Sequence, residues 1–193
     1  LDLISPQYIS DLISWGAIGA RTAESQVHRE LTSGLSCPMG IKNSTNGDLQ
    51  VAVDAMKSAK YQHVFLGTTK QGKVAIFKTS GNDDTHIILR GGEKPNYDVS
   101  DIEQCISTLA EEKTNMNLMV DFSHGNSQKN HENQKIVCKS IAEQIEKGNK
   151  HITGVMIESH LKEGNQKMSE NLEYGKSITD SCICWEETKE LIT

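Results

Sequence analysis

The sequence has no uninterrupted apolar run of about 18 residues, the length needed to cross a bilayer, so it predicts no membrane span. It has no surplus of basic residues either, because 26 Asp and Glu outnumber 20 Lys and Arg and the net charge is -6. A chain this acidic lacks the positive surface that binds nucleic acid, which excludes that class of partner. No secretory signal pattern is visible at the N-terminus.

The sequence also lacks a disulfide framework, because its five cysteines are odd in number and widely scattered. Reduced cysteines are typical of the cytoplasm, which is the predicted location. Cys182 and Cys184 are separated by one residue and have no second pair elsewhere, so they make a poor zinc site.

No glycine-rich phosphate loop, Ser–His–Asp order, nucleotide fingerprint, low-complexity segment or internal repeat is present. The Asn- and Lys-rich segment Lys129–Lys135 is expected to be solvated surface.

Short apolar runs alternate with helical patterns along most of the chain. The predicted strands are Trp15–Ala20, Cys37–Lys42, His63–Gly67, Leu118–Phe122 and Gly154–Glu158, and a hairpin pairs Val74–Phe77 with His86–Arg90 around a turn at Thr79–Asp83. The predicted helices are Glu24–Leu35, Asp48–Lys60, Ser100–Glu111 and Asn130–Lys147, with a last one starting near Trp185.

Strand–helix alternation predicts a parallel α/β fold of about five βα units plus the inserted hairpin. A complete eight-unit barrel needs roughly 250 residues. The 193 residues, taken as a single domain over 1–193, therefore predict either a smaller open sheet or part of a barrel.

Cationic side chains stand where three apolar runs end, namely Arg21, Lys42 and Arg90. The carboxyl ends of parallel strands form the active face of such folds, so these cations are expected to bind a small anion such as a phosphate ester. Each one taken singly is better explained as a solvated or paired surface charge, and the three together at strand ends favour the anion site.

A second set of polar residues consists of His124, Glu158 and Asp180. One imidazole and two carboxylates suit a divalent transition metal or zinc. Their spacing in the sequence leaves open a buried structural histidine with two unrelated acids.

Eight strings carry a resemblance to a known family. They are Gly16-Ala-Ile-Gly-Ala-Arg-Thr-Ala-Glu-Ser25, Leu35-Ser-Cys-Pro38, Gly40-Ile-Lys-Asn43, Ile87-Ile-Leu-Arg-Gly-Gly92, Val120-Asp-Phe-Ser-His-Gly-Asn126, Gly154-Val-Met-Ile-Glu-Ser159, Glu163-Gly-Asn-Gln166 and Tyr174-Gly-Lys-Ser-Ile-Thr-Asp180. In this order they resemble the C-terminal part of the 3-deoxy-D-arabino-heptulosonate 7-phosphate (DAHP) synthases, in their microbial, aromatic-feedback (class I) type.

The resemblance implies a (β/α)8 TIM barrel, of which this chain would hold the last five units. It implies condensation of phosphoenolpyruvate with erythrose 4-phosphate to give DAHP and phosphate, the first step of the shikimate pathway. Phosphoenolpyruvate would be held by Ala20, Arg21, Lys42 and Arg90. One divalent ion (Mn, Fe, Co or Zn) would be held by His124, Glu158 and Asp180, and Lys42, His124 and Asp180 would be catalytic.

The resemblance also implies feedback inhibition and a homo-oligomer, either a dimer or a tetramer. The aromatic effector, tyrosine or phenylalanine, would bind at Pro6, Gln7, Leu35, Ser36, Phe65 and Gly67. Gly67 lacks a side chain and would leave room for a tyrosine hydroxyl, which favours tyrosine.

Two departures from the family pattern stand out. Ser44 and Asn46 replace a glycine and an aspartate beside Lys42, and Ser44 would be strained if that position needs a positive φ. The family's front portion, with a cysteine ligand and a lysine–proline–arginine segment, has no counterpart, so these 193 residues alone are expected to be inactive. The alternatives are an octulosonate phosphate synthase and a truncated or degenerate, non-catalytic copy.

Overall fold

The computed structural model describes residues 1–193, which divide into two compact units. The first unit comprises 1–88 and 105–117, and the second comprises 89–104 and 118–193. The prediction of one domain over 1–193 stays a prediction. No helix is long and apolar enough to span a membrane.

The chain contains seven strands, six α-helices and one 3-10 turn. The strands are β1 Gly16–Ile18, β2 Met39–Lys42, β3 Val64–Thr68, β4 Val74–Lys78, β5 Thr85–Leu89, β6 Leu118–Asp121 and β7 Ile152–Met156. The helices are α1 Pro6–Ile9, α2 Gln26–Ser33, α3 Gln50–Lys60, α4 Val99–Glu111, α5 Gln134–Glu146 and α6 Trp185–Ile192, with the 3-10 turn at His131–Asn133.

In the first unit β2 lies between β1 and β5, and both pairings are parallel. The strands β2 and β5 are buried almost throughout, as expected when a parallel sheet is covered on both faces. Helix α3 follows β2, lies within the predicted Asp48–Lys60, and buries Ala52, Val53 and Met56. Parallel strands joined through helices confirm the predicted α/β class.

The predicted hairpin is wrong in one of its two strands. The structure pairs β3 with β4 in antiparallel register, and β5 joins the parallel sheet beside β2 instead. The reason is burial: every residue of β5 is buried, whereas β3 and β4 alternate between exposed and half-buried positions. Alternating exposure is typical of a strand pair with one solvent-exposed face, and continuous burial is typical of an inner strand of a parallel sheet. The strand predicted at His63–Gly67 therefore belongs to the hairpin.

The β3–β4 hairpin has two different faces. Val64, Leu66 and Ile76 are exposed on one face, while the rings of Phe65 and Phe77 stack on the other with centroids 6.0 Å apart. A one-residue step along either strand therefore changes which side of the ribbon a side chain occupies.

In the second unit β6 and β7 run parallel, and helix α5 lies between them in the chain. The helix buries Val137 and Ile141, while Ile145 is exposed. It ends at Glu146, one residue before the predicted Lys147, because Gly148 adopts φ +98 and its N–H donates to the Ile145 carbonyl at 2.9 Å.

Two helices start at residues other than those predicted. Helix α2, predicted from Glu24, begins at Gln26 and is capped by Ser25, whose hydroxyl accepts from the His28 N–H. Helix α4 begins at Val99, before the predicted Ser100, and the Asp98 N–H donates to the Asp101 carboxylate at 3.3 Å. Both shifts lie within the usual uncertainty of helix boundaries.

Candidate functional site

Two of the predicted cations lie at the same end of neighbouring strands in the first unit. Lys42 is the last residue of β2 and is half-buried. Arg21 is exposed in the turn after β1, where the Thr22 N–H donates to the Gly19 carbonyl at 3.0 Å, and Ala20 lies in the same turn. Since β1 and β2 are parallel, their carboxyl ends meet at one edge and carry two positive charges there.

The loop after Lys42 does not strain Ser44, which corrects the hypothesis drawn from the family pattern. The positive φ of this loop falls on Gly47, at 101°. Ser44 is buried, and its hydroxyl accepts from the Asp48 N–H at 3.0 Å. A serine here therefore satisfies the backbone of a tight turn beside Lys42.

The third cation and the predicted histidine are joined through backbone in the second unit. Arg90 follows β5 and is buried, and its carbonyl accepts from the Gly125 N–H at 2.9 Å. A Cβ on Gly125 would lie 2.6 Å from the Gly91 carbonyl carbon and from the Gly92 nitrogen. Only glycine permits this approach, so the loops that carry Arg90 and His124 are held against each other.

The imidazole of His124 faces two carboxylates. Its Nε2 lies 3.5 Å from Asp180 Oδ2 and 4.0 Å from Glu158 Oε1. The exposed fraction of the side chain rises from 19% for His124 to 32% for Glu158 and 59% for Asp180. The three residues follow β6, follow β7 and lie in the segment before α6, so the fold brings together all three predicted ligands.

This group fits a divalent transition metal. One ligand atom from each residue lies within 4.8 Å of the other two. Metal–ligand bonds of about 2.0–2.2 Å place neighbouring ligand atoms roughly 3–4 Å apart, which matches the spacing around Nε2. One nitrogen and two carboxylate oxygens are also the donor types that manganese, iron, cobalt and zinc accept in proteins.

Two buried residues behind the ligands escaped prediction. Asp121 is fully buried, and its Oδ2 lies 2.8 Å from His124 Nδ1, an ion-pair distance without good hydrogen-bond alignment. Gln134 is fully buried and bonds the backbone of Glu158. Asp121 stands three residues before His124 in the quoted motif, a signal that was available. Gln134 gave none, because it lies in the segment expected to be solvated surface.

A second group of possible ligands comprises His131, Glu132 and Glu163. Both of its carboxylates are exposed, and Glu132 also lies 3.6 Å from Lys135 Nζ. Exposed acids of this kind are ordinary surface features, and the group carries no functional assignment.

A separate cavity of about 560 Å³ lies within the first unit, beside α1, α2 and the β3–β4 hairpin. Five of the six predicted effector residues line it: Pro6, Gln7, Leu35, Phe65 and Gly67. Ser36 is exposed and does not line the cavity.

Phe77 is the aromatic wall residue that the prediction missed. A Cβ on Gly67 would lie 2.8 Å from Phe77 Cδ2, so the space beside Gly67 is occupied by this ring. The prediction paired Val74–Phe77 with His86–Arg90 rather than with β3, so it could not foresee the contact between Phe77 and Gly67.

The fold and these sites define a class, namely a parallel α/β protein with cations at its strand ends and a candidate divalent-metal centre. A family model described as the DAHP synthetase I family matches residues 1–193, and the chain belongs to this family.

The chain is similar to several named relatives. It is 53% identical to the Trp-sensitive phospho-2-dehydro-3-deoxyheptonate aldolase of Escherichia coli (strain K12) over all of the chain and 56% of that relative. It is 55% identical to the Phe-sensitive enzyme of the same strain, over all of the chain and 55% of the relative. A solved structure of the aldolase from Francisella tularensis SCHU S4 superposes with a TM-score of 0.94 at 56% identity, covering all of this chain and 57% of that one.

The chain therefore spans about half the length of the relatives that it matches. The superposition confirms the α/β fold as part of a DAHP synthase barrel, with five parallel strands and one hairpin.

Proposed function

We propose that the chain carries the metal-binding and part of the phosphoenolpyruvate-binding machinery of a DAHP synthase. The observation that carries the proposal is the convergence of His124, Glu158 and Asp180, with Arg90 held beside His124 through Gly125. Family membership and relatives named as heptonate aldolases support this reaction over the octulosonate alternative.

In the proposed reaction the methylene carbon of phosphoenolpyruvate bonds to the aldehyde carbon of erythrose 4-phosphate. Water adds to the neighbouring carbon, the bond from that carbon to the phosphate oxygen breaks, and inorganic phosphate leaves. A divalent ion bound at His124, Glu158 and Asp180 would supply Lewis acidity toward the aldehyde oxygen.

The residues of this chain have distinct roles in the proposal. The Arg90 guanidinium would bind one anionic group of phosphoenolpyruvate, because its planar fork matches an oxyanion and its buried position strengthens the attraction. Asp180, the most exposed of the three ligands, would relay a proton to the product oxygen. Arg21, Lys42 and the Ala20 amide are assigned to the same substrate by the resemblance alone.

The test is phosphate release by the protein at its natural length, with phosphoenolpyruvate, erythrose 4-phosphate and Mn²⁺. We expect release only when all three are present. His124→Asn should lower activity and Mn²⁺ affinity by at least about 100-fold, because a ligand is lost. Asparagine tolerates the left-handed backbone of residue 124, where φ is 55°, so the fold should survive.

The matched control is His151→Asn, which removes a histidine of the same unit just before β7, at the opposite end of that strand from Glu158. This variant should keep activity and Mn²⁺ affinity. Absence of phosphate release from the unmodified protein would favour a non-catalytic copy, and release with a pentose phosphate as acceptor would favour the octulosonate enzyme.

We further infer that the 560 Å³ cavity of the first unit binds a free aromatic amino acid. Its volume suits a small ligand, and its lining combines the rings of Phe65 and Phe77 with the polar groups of Gln7 and Glu30. The relatives named as Trp-sensitive and Phe-sensitive support an aromatic effector.

Tyrosine is the proposed effector on the condition that the Phe77 ring, which occupies the space beside Gly67, turns aside when the ligand binds. Calorimetric titration with tyrosine, phenylalanine and tryptophan would rank the three ligands. Equal affinity for tyrosine and phenylalanine, or a preference for phenylalanine, would refute the tyrosine assignment.

A further inference from the structure

Gln134 makes an unusual pair of hydrogen bonds for a side chain outside the candidate metal site. Its Nε2 donates to the Glu158 carbonyl at 3.0 Å, and its Oε1 accepts from the Glu158 N–H, also at 3.0 Å. Gln134 is the first residue of α5 and is fully buried. The single amide of Gln134 therefore bonds both the N–H and the carbonyl of Glu158, as a neighbouring strand would.

Glu158 lies beyond the end of β7, so its backbone is not held by the hydrogen bonds of the sheet. Strand β7 ends at Met156, whose carbonyl accepts from the Phe122 N–H at 2.9 Å. Two residues later, the Glu158 carbonyl has one other backbone donor, the Ile183 N–H at 3.0 Å. The Glu158 N–H is bonded by Gln134. The direction in which the Glu158 carboxylate leaves the backbone therefore depends on Gln134.

The burial of Gln134 shows how specific this arrangement is. A buried amide without partners costs free energy, so a glutamine persists in a core where its polar atoms are matched. Here Oε1 and Nε2 are both bonded to Glu158, a candidate ligand. An apolar side chain of the same size would pack equally well but would leave the two backbone groups of Glu158 without these partners.

We propose that Gln134 is a positioning residue that fixes the Glu158 carboxylate for the metal, an inference that rests on the proposed metal site. The amide acts through the backbone of Glu158 and does not touch the ion. Asp121 stands in a comparable relation to His124, at 2.8 Å from its Nδ1, so the two less exposed ligands are each backed by a buried polar side chain. Outer partners of this kind typically change metal affinity by about 10–100-fold when they are removed.

The test compares two buried glutamines of helix α5. Gln144 also lies in the core, and its Nε2 donates to the Tyr97 carbonyl at 2.9 Å, a contact that involves no candidate ligand. Gln134→Met and Gln144→Met each replace an amide by an apolar chain of similar length on the same helix. Both are made in the protein at its natural length, and the metal is removed with a chelator.

The first readout is the Mn²⁺ dissociation constant, and the second is the visible absorption spectrum of the Co²⁺-loaded protein, which reports ligand geometry. We expect Gln134→Met to weaken Mn²⁺ binding by about 10–100-fold and to shift the Co²⁺ bands. Gln144→Met should lower thermal stability and leave both metal readouts as in the unmodified protein.

Gln134→Asn covers the case in which Gln134→Met does not fold. It keeps the amide but is one methylene shorter, so it cannot bond both backbone groups of Glu158 from the same place on α5. The proposal is overturned if a folded Gln134 variant binds Mn²⁺ as tightly as the unmodified protein with an unchanged Co²⁺ spectrum. It is also overturned if the Gln144 variant loses metal affinity equally, which would indicate a general packing effect. Absence of metal binding by the unmodified protein would contradict the proposed function instead.

Discussion

At the scale of single residues, Gly67 and Phe77 lie in contact in the wall of the proposed effector cavity, the 560 Å³ cavity of the first unit. An alanine at position 67 would bring its Cβ to 2.8 Å from Phe77 Cδ2, so the ring would have to turn. We expect Gly67→Ala to weaken binding of the aromatic effector by about tenfold, or about 1.4 kcal/mol. Activity without effector should not change. Titration calorimetry on the purified variant measures the effect.

Two variants of the same hairpin test this explanation. Phe77→Val in the Gly67→Ala background removes the colliding Cδ2 and Cε2 atoms and should recover part of the affinity. Gly72→Ala changes the hairpin turn, where a Cβ would meet nothing within 4 Å, so it should leave the effector affinity intact. Unchanged binding by Gly67→Ala would show that the contact with Phe77 does not shape the ligand site.

At the scale of elements, the loops after β5 and β6 are held together by the absence of side chains at Gly91 and Gly125. We expect Gly125→Ala to lower the free energy of unfolding by about 1–3 kcal/mol, because its Cβ would collide with backbone that cannot rotate away. Metal affinity should fall as well, since His124 precedes Gly125 directly. Urea unfolding and Mn²⁺ titration provide the two measurements.

Gly148→Ala supplies the comparison. That glycine has φ +98 and open space around its Cβ, so the substitution brings backbone strain of about 1–2 kcal/mol without a collision. Gly148 follows the C-terminal end of α5, whereas Gln134 begins the helix, so metal affinity should be unaffected. A Gly125 variant with normal metal affinity would argue against a role of the loop contact in placing His124.

Predictability from sequence also differed between elements. Helices α3 and α5 were located because their apolar residues repeat every three or four positions. The predicted pairing of the hairpin was wrong because His86–Arg90 and His63–Gly67 are both short β-like runs. The sequence alone cannot say which of them pairs with Val74–Phe77. Pairing is decided by burial over distances that local patterns do not contain.

The candidate site divides in the same way. His124, Glu158 and Asp180 could be named because their motifs are distinctive, whereas Gln134 stands among polar residues and its role depends on where β7 ends. A ligand has a characteristic chemistry, but a residue that bonds the backbone of a ligand has none.

At the scale of the whole molecule, one buried thiol links stability to pH. Burial raises the pKa of Cys105 to about 12, from 9.0 for a free thiol. The folded chain keeps this thiol protonated, while the unfolded chain ionises it above pH 9, so the stabilisation is complete below that pH and is lost as the pH rises toward 12. The free energy of unfolding should fall from this cause by up to about 1.4 kcal/mol per pH unit.

Cys105→Ala and Cys105→Ser remove the ionisable group and should flatten this part of the curve. Urea unfolding of the three proteins between about pH 8 and pH 10.5 compares the slopes, while the loss of packing shifts each curve by a constant amount. Parallel curves for all three would indicate that Cys105 ionises as readily in the fold as in the unfolded chain.

The β3–β4 hairpin is a single layer without an interior of its own. Phe65 and Phe77 face the proposed effector cavity, and Val64 and Ile76, their neighbours in the chain, are exposed and do not line it. A ligand that moves the inner rings would also move the outward-facing side chains, because the same two strands carry both sets. Binding in the cavity would therefore change the outer surface of the hairpin without any further element to transmit the movement.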